Sequence, residues 1–368
     1  MYGGLYAMKI HDAYMRPLDN LRVVVTVECS YRCIFCHIEG ESVEGPVKPG
    51  SLKPLLTPED YYIVARAAEI IGISKIKFTG GEPLIRREIL DIIKAFREGA
   101  PTLELSMTTN GYLLEKLASK LSENGLARVN VSIHSLRSEV YKFITGVDGL
   151  QRAIAGLREA SDAGLGLKIN MVVLKGVNEH EVWDLLDLAH RLDATLQLIE
   201  LHPVGLGARF FNKYYYPLAE IEKKLLEVGA KVVRRSLHNR PVYILPSGER
   251  VEIVKPYGNP IFCMGCQRIR LGPFGDLWPC LNWKGPRPNM LPGIRKGSIE
   301  DRIISAIETF LRVNMLRRPY FLPRIRDGKH SESLERSIKL SRLQPPKKRV
   351  YERYLEELRR QLQYKGIL

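Results

Sequence analysis

From Leu21 to about Pro203 the chain alternates short β-branched runs with longer segments whose apolar residues recur at helical spacing, the pattern of successive βα units. Six strands are predicted: Leu21 to Val27, Lys75 to Thr79, Leu103 to Thr108, Arg128 to Ile133, Leu167 to Val173 and Thr195 to Leu201. The helices between them have readable ends. Thr57 can cap a helix that begins at Pro58, and Gly72, Gly125 and Gly164 stand where helices should stop. Near-continuous apolar runs such as Val23, Val24 and Val25 fit a parallel sheet covered by helices, since both faces of each strand must then be buried. The expected class is α/β, with a full or partial barrel.

After about Tyr216 the pattern changes to a short helix and then strands broken by turns at Pro246 to Gly248 and Pro273 to Asp276, which reads as a second, smaller domain. Beyond Pro345 and Pro346, apolar residues at Tyr351, Leu355, Leu358 and Leu362 mark an amphipathic terminal helix from Val350 to Tyr364. The expected division is thus 1–216, 217–300 and a basic helical extension, 301–368. No internal repeat appears beyond the βα unit itself.

Composition changes this picture in three ways. With 45% hydrophobic residues the chain of 368 can bury a sizeable core, while no stretch approaches the roughly 20 apolar residues of a membrane span. Met1 to Ile10 lacks the order of a secretion signal, so the expected compartment is the cytoplasm. There, six cysteines point to metal or catalysis rather than to disulfides. Finally, the net charge of +15 is concentrated late: from Leu281 onward 21 Lys and Arg stand against 9 Asp and Glu. Such a tail either attracts a polyanion or is a solvated face.

The cysteines carry the sharpest chemistry. Cys29, Cys33 and Cys36 form CxxxCxxC just after the first strand, where one loop can wrap three thiolates around one centre. Soft thiolates select zinc, copper(I) or iron–sulfur clusters, and structural zinc nearly always takes four protein ligands. His37 directly follows Cys36, an awkward position from which to reach the same metal. Three thiolates suit a four-iron, four-sulfur cluster with one open iron. One βα unit later, Gly80, Gly81, Glu82 and Pro83 place paired glycines where backbone can approach a ligand closely. Thr108 to Gly111 end the third strand, Ser132 and His134 the fourth, and Lys168 and Asn170 lie in the fifth, mostly at the strand ends where parallel barrels build active sites. Cys263, Cys266 and Cys280 form a second set of three. The predicted strands Arg268 to Leu271 and Leu277 to Leu281 would return Cys280 beside Cys266 as a hairpin. A zinc completed by a distant histidine is the alternative there. Arg268 and Arg270 share one face of the hairpin, where two guanidiniums suit a phosphate-rich ligand.

CxxxCxxC with Phe35 before its last cysteine, followed by GGEP, resembles the radical S-adenosylmethionine (SAM) superfamily. The resemblance implies a partial (β/α)6 barrel of TIM type, in which the open iron chelates SAM and the reduced cluster cleaves it to a 5′-deoxyadenosyl radical. The full ordered set, over roughly residues 15 to 300, resembles the GTP 3′,8-cyclase family of molybdenum cofactor biosynthesis. That resemblance implies two 4Fe-4S clusters, the second in a smaller C-terminal domain and holding the guanine base, with no side chain itself catalytic. It places Phe35, Gly80, Gly81, Glu82, Ser132 and His202 on SAM, and Arg22, Lys77, Thr108, Lys168, Arg268, Ile269 and Arg270 on GTP. The radical would take hydrogen from ribose C3′, which then adds to guanine C8. The resemblance further implies an electron donor such as ferredoxin or flavodoxin, and a downstream cyclic pyranopterin monophosphate synthase. A monomer or homodimer with no membrane partner is expected. The chain differs from many members at Gln197, where an arginine is common, at His202, often methionine, and in ending Lys365 to Leu368 rather than in paired glycines. Other readings are a radical SAM enzyme acting on a peptide or tetrapyrrole and, in a different class, a zinc-containing RNA-binding protein.

Overall fold

The structure, a computed structural model, describes residues 9–40, 54–319 and 360. The predicted terminal helix and most of the basic tail lie outside the described residues. Eleven strands form one sheet: β1 Asn20–Val24, β2 Lys75–Thr79, β3 Glu104–Thr109, β4 Arg128–Ser132, β5 Gly166–Val173, β6 Thr195–Glu200, β7 Lys231–Arg234, β8 Pro241–Ile244, β9 Arg250–Val254, β10 Arg268–Leu271 and β11 Leu277–Trp278. Their order is β11-β10-β1-β2-β3-β4-β5-β6-β9-β8-β7. All six predicted strands are present within a few residues of their expected ends.

The eight strands from β10 through β1 to β6 and on to β9 are mutually parallel. The segment after Tyr216 therefore does not fold as a sheet of its own. Its β9 pairs with β6 and its β10 with β1, so both edges of the six-stranded barrel are covered by later strands. The cause is ordinary: an uncovered edge leaves a row of unpaired N–H and C=O groups. Residues 255–267, joining β9 to β10, run from one end of the parallel set to the other and carry Cys263 and Cys266. The hairpin forms as expected but its second strand stops at Trp278, ahead of Pro279, which has no N–H to continue a ladder.

Helices cover the outer face. The first, Pro58–Ile70, begins in a capping box in which the Thr57 hydroxyl accepts from Asp60 N at 3.4 Å and the Asp60 carboxylate accepts from Thr57 N at 3.0 Å. It packs against Ile89–Gly99 and against Ile299–Leu316, so the last described helix closes on the first. Contrary to the expectation of strands apolar on both faces, most strands alternate. In β2, Ile76 and Phe78 are fully buried under helices while Lys75 and Lys77 face inward. In β4, Val129 and Val131 are buried while Arg128, Asn130 and Ser132 face inward. The barrel interior is thus a polar cavity rather than a packed core. No helix among the described residues is long and apolar enough to cross a membrane.

Candidate active site

Cys29, Cys33 and Cys36 occupy the loop after β1, and three neighbouring segments fix its backbone. From β2, Gly81 N donates to Thr26 O at 2.9 Å and Glu82 N to Glu28 O at 2.7 Å. The approach is so close that a Cβ on Gly81 would lie 1.8 Å from the Glu28 carbonyl oxygen. The paired glycines therefore serve the cysteine loop itself. Glu82 then ties this segment to β3: its carboxylate accepts from the Thr109 hydroxyl at 2.6 Å, Asn110 N at 2.7 Å and Leu84 N at 3.0 Å. Burial pushes Glu82 up to about 7 despite these donors. From the far side, Leu206 N donates to Cys36 O at 2.8 Å, beside Gly205, whose backbone is left-handed at φ 62°. From below, Arg32 N and Ile34 N donate to Thr145 O and Ile144 O at 2.9 and 3.0 Å.

The thiols are half-buried. Burial pushes Cys29 up to about 11, Cys36 upward and Cys33 higher still, with the neighbouring thiols adding to the rise at Cys29 and Cys33. As thiolates they would need a positive partner. Among the described residues, no three His, Cys, Asp or Glu side chains converge on a single metal ion. A cube of four irons takes one thiolate per iron and so wants its ligands close but separate. The Nδ1 of His37 is taken, accepting from Glu39 N at 3.0 Å, and burial holds the ring down at about 4.

The barrel surrounds a cavity of about 290 Å³ that opens to solvent. Its wall includes Phe35 and His37, flanking Cys36, and also Phe262 and Gln267, next to Cys263 and Cys266, so one space is bordered by sequence neighbours of both cysteine sets. Eight Lys and Arg line it (Arg22, Lys75, Lys77, Arg128, Lys168, Arg235, Arg240 and Arg268) against Asp19 and Glu200 alone. Register explains the crowding, since Arg270, Arg22 and Lys77 are direct neighbours across β10, β1 and β2. Burial, and then mutual repulsion, pushes Lys77 and Arg268 well below their ordinary values. Such a wall favours a polyanion.

Two buried carboxylates that sequence reasoning missed hold part of this charge. Glu39 takes Arg22 at 3.3 Å and Arg270 at closer range, and accepts from the Thr79 hydroxyl at 2.9 Å. Burial alone would raise Glu39, but the two guanidiniums pull it down to about 2. Fully buried Glu252 on β9 takes Lys168, Arg235 at 2.9 Å and Arg240 at 2.9 Å, so three cations share one carboxylate. Arg240 also donates to Gln197 Oε1 at 3.3 Å. Arg22 Nε and His202 Nδ1 are buried with no hydrogen-bond partner, as in a wall shaped for a ligand.

The second set is held by two further buried arginines that no motif announced. Arg16 donates to Cys263 O at 2.8 Å and Arg317 to Cys266 O at 2.6 Å, while Asp12 pairs with both at 2.7 and 3.6 Å. Cys280, after β11, is raised by burial. Asn282, two residues on, lies 3.1 Å from His202 Nε2, and His202 O caps the loop that meets Cys36. One short chain of contacts thus links the two cysteine sets.

Residues 23–189 match the family model of the radical SAM superfamily and residues 194–318 that of Molybdenum Cofactor Synthesis C. A probable GTP 3′,8-cyclase of Aeropyrum pernix is 46% identical over 325 residues, 88% of this chain and 91% of the relative. Another, of Thermococcus kodakarensis, is 40% identical over 317 residues, 85% and 99% of the two chains. This chain belongs to the GTP 3′,8-cyclase family.

Solved structures agree on the fold alone. Streptococcus suis SuiB bound to S-adenosylmethionine superposes at a TM-score of 0.55 with 16% identity, over 77% of this chain and 66% of that one. Native anSMEcpe with bound AdoMet gives 0.51 at 19%, over 78% and 79%. Membership in the cyclase family implies SAM and a four-iron cluster, and the three half-buried soft thiols gathered in the first loop fit that group. Of the residues the resemblance placed on SAM, Phe35, Ser132 and His202 line the cavity. Gly80, Gly81 and Glu82 pack directly against the cysteine loop. Of those placed on GTP, Arg22, Lys77, Thr108, Lys168 and Arg268 line it. Arg270, on the same face of β10 as Arg268, pairs with Glu39, and Ile269 is fully buried on the opposite face. The zinc-containing RNA-binding reading is set aside by family membership.

Proposed function

We propose that this cyclase-family chain converts GTP to 3′,8-cyclo-7,8-dihydro-GTP in the barrel cavity, and that it carries a second four-iron cluster on Cys263, Cys266 and Cys280. The supporting observation is the single cation-lined space bordered by sequence neighbours of both cysteine sets. When bound, the first cluster, on Cys29, Cys33 and Cys36, and SAM would supply a 5′-deoxyadenosyl radical that takes hydrogen from ribose C3′, after which C3′ bonds to guanine C8 and the nucleotide takes up one electron, from the chain's iron–sulfur clusters and their donor, and one proton.

The chain's own part is placement. Phe35, Ser132 and His202 bound the SAM side; Arg22, Lys77, Thr108, Lys168 and Arg268 receive the nucleotide, and Arg235 and Arg240 join them. Holding two reactants at contact distance replaces an encounter in solution. Apolar wall residues such as Val172, Ile199 and Leu201 keep water from the reacting atoms. On this reading 1–216 supplies the SAM side and 217–300 the second cluster and part of the nucleotide site, with 301–368 as an extension. An electron donor feeds the first cluster, and a cyclic pyranopterin monophosphate synthase consumes the product.

The test is anaerobic incubation of reconstituted, reduced protein with SAM and GTP. The expected products are 5′-deoxyadenosine and a cyclised nucleotide; deoxyadenosine formed only with a peptide or tetrapyrrole would refute the assignment. A second prediction addresses the charge around Gln197. Three cations on Glu252 leave a surplus of two, and Arg240 sets its guanidinium at the Gln197 amide. Arg240→Gln is expected to weaken GTP binding about tenfold while leaving SAM binding unchanged, the worth of one charge-assisted hydrogen bond. Calorimetric titration checks it, and equal GTP affinities would make Arg240 purely structural.

A further inference from the structure

The chemistry proposed above needs an electron delivered to the first cluster, and one outer face of the barrel is built to receive its carrier. Two helices, Ser138–Thr145 and Gly207–Tyr214, each touch the first cysteine loop and meet through Phe143 and Tyr214, and Ile144 of the first and Phe211 of the second share one apolar cluster with Leu201, Ile34 and Phe35. Where they meet, aromatic side chains stand in solvent. Phe143 is 51% exposed and Phe210 36%, and Tyr214 bridges them with ring centroids 6.3 and 6.1 Å away. Such a cluster on a surface is uncommon without a partner, and aromatic residues with Arg are the enriched components of protein interfaces.

The fringe of this cluster is basic. Lys213 lies over the Tyr214 ring at 5.0 Å, and Lys142 and Arg209, the chain neighbours of Phe143 and Phe210, are exposed. Helix Gly207–Tyr214 has no acidic residue. The acid of the other helix, Glu139, sits a turn from Lys142 with Arg137 at 3.9 Å. The face also lies close to the metal site through the backbone. Ile144, next to Phe143, accepts a 3.0 Å hydrogen bond from Ile34 N, and Ile34 is bonded to Cys33. Thr145 accepts likewise from Arg32 on the other side of Cys33. Ile144 and one hydrogen bond thus connect the exposed Phe143 to the backbone beside Cys33.

We propose that this face docks a small acidic ferredoxin, with the aromatic cluster at the centre of the contact and the cations as its steering rim. One electron leaves the carrier's reduced iron–sulfur centre and enters the cluster on Cys29, Cys33 and Cys36; the carrier is oxidised by one electron, and no bond or proton moves. The proposal rests on the function assigned above. Small redox encounters of this kind need little buried area and depend on charge for their rate.

The test drives SAM cleavage by the full, reconstituted protein with either reduced acidic ferredoxin or dithionite, and compares wild type with Lys142→Glu/Lys213→Glu and with Phe143→Ala. The expected result is a ferredoxin-driven rate at least about tenfold lower in the charge-reversed variant and lower in Phe143→Ala, with dithionite-driven rates unchanged. The wild-type ferredoxin rate should also fall as salt is raised. Equal ferredoxin rates in wild type and variants, parallel loss with dithionite, or a variant that turns a dimer into a monomer would each overturn the docking site. Failure of wild type to cleave SAM with dithionite would overturn the assigned function along with it.

Discussion

A Gly81→Ala protein is expected to purify with about half the iron of wild type and to cleave no SAM. The added Cβ would sit 1.8 Å from the Glu28 carbonyl oxygen and 2.3 Å from its carbon. Backbone meets backbone there, and no rotamer relieves it. Either the 80–82 segment or the Thr26–Glu28 segment must move, breaking the bonds from Gly81 N to Thr26 O and from Glu82 N to Glu28 O. Cys29 follows directly, so the displacement falls on cluster geometry. Overpacking costs about 1–3 kcal/mol where side chains can yield, and this site has none that can. The control is Gly248→Ala, at φ 103° with nothing within 4 Å of the added Cβ. It bears backbone strain of about 1–2 kcal/mol and should keep its iron. Iron assay and visible absorption decide; full iron and normal SAM cleavage in Gly81→Ala would show that the loop is not held from this side.

The second large effect separates the two cysteine sets. Cys33→Ala is expected to abolish 5′-deoxyadenosine formation altogether, because the cluster that binds and reduces SAM is lost. Cys280→Ala should instead leave deoxyadenosine forming at a rate within about tenfold of wild type while cyclised nucleotide disappears, with iron falling by about four per chain. The difference follows from position. Cys33 lies in the loop under Phe35 and His37, whereas Cys280 follows β11 on the edge that carries Arg268. Loss of both products in both variants would mean that the two sets form one functional unit.

Much of this was readable in the chain. The six strands, the Thr57 cap and the helix stops at left-handed glycines fell where local pattern put them, because each depends on residues a few positions apart. The cysteine spacings and the inward cations Arg22, Lys77, Lys168 and Arg268 were likewise visible. The carboxylates and arginines that complete the site were not, since their partners are distant in sequence. Glu39 meets Arg270 across 231 positions, Arg16 meets the Cys263 carbonyl across 247, and Arg240 meets Gln197 across 43. One signal was present: Arg250–Val254 reads RVEIV, and a lone acid within a buried strand demands cations, which Lys168, Arg235 and Arg240 provide. The single sheet also escaped notice, because β9 and β10 look like any short strands until the bare edges of β6 and β1 are in place. The packing of the glycine pair against Glu28 depends on the fold and has no local signal.

The central claim is that SAM and GTP lie against each other in one cavity, close enough for a hydrogen atom to pass between them. The most direct measurement supplies GTP carrying deuterium at ribose C3′ to the reduced protein with SAM, and weighs the 5′-deoxyadenosine by mass spectrometry. The account predicts deoxyadenosine heavier by one deuterium, in step with the cyclised nucleotide. Deoxyadenosine that stays unlabelled while GTP is consumed would contradict it.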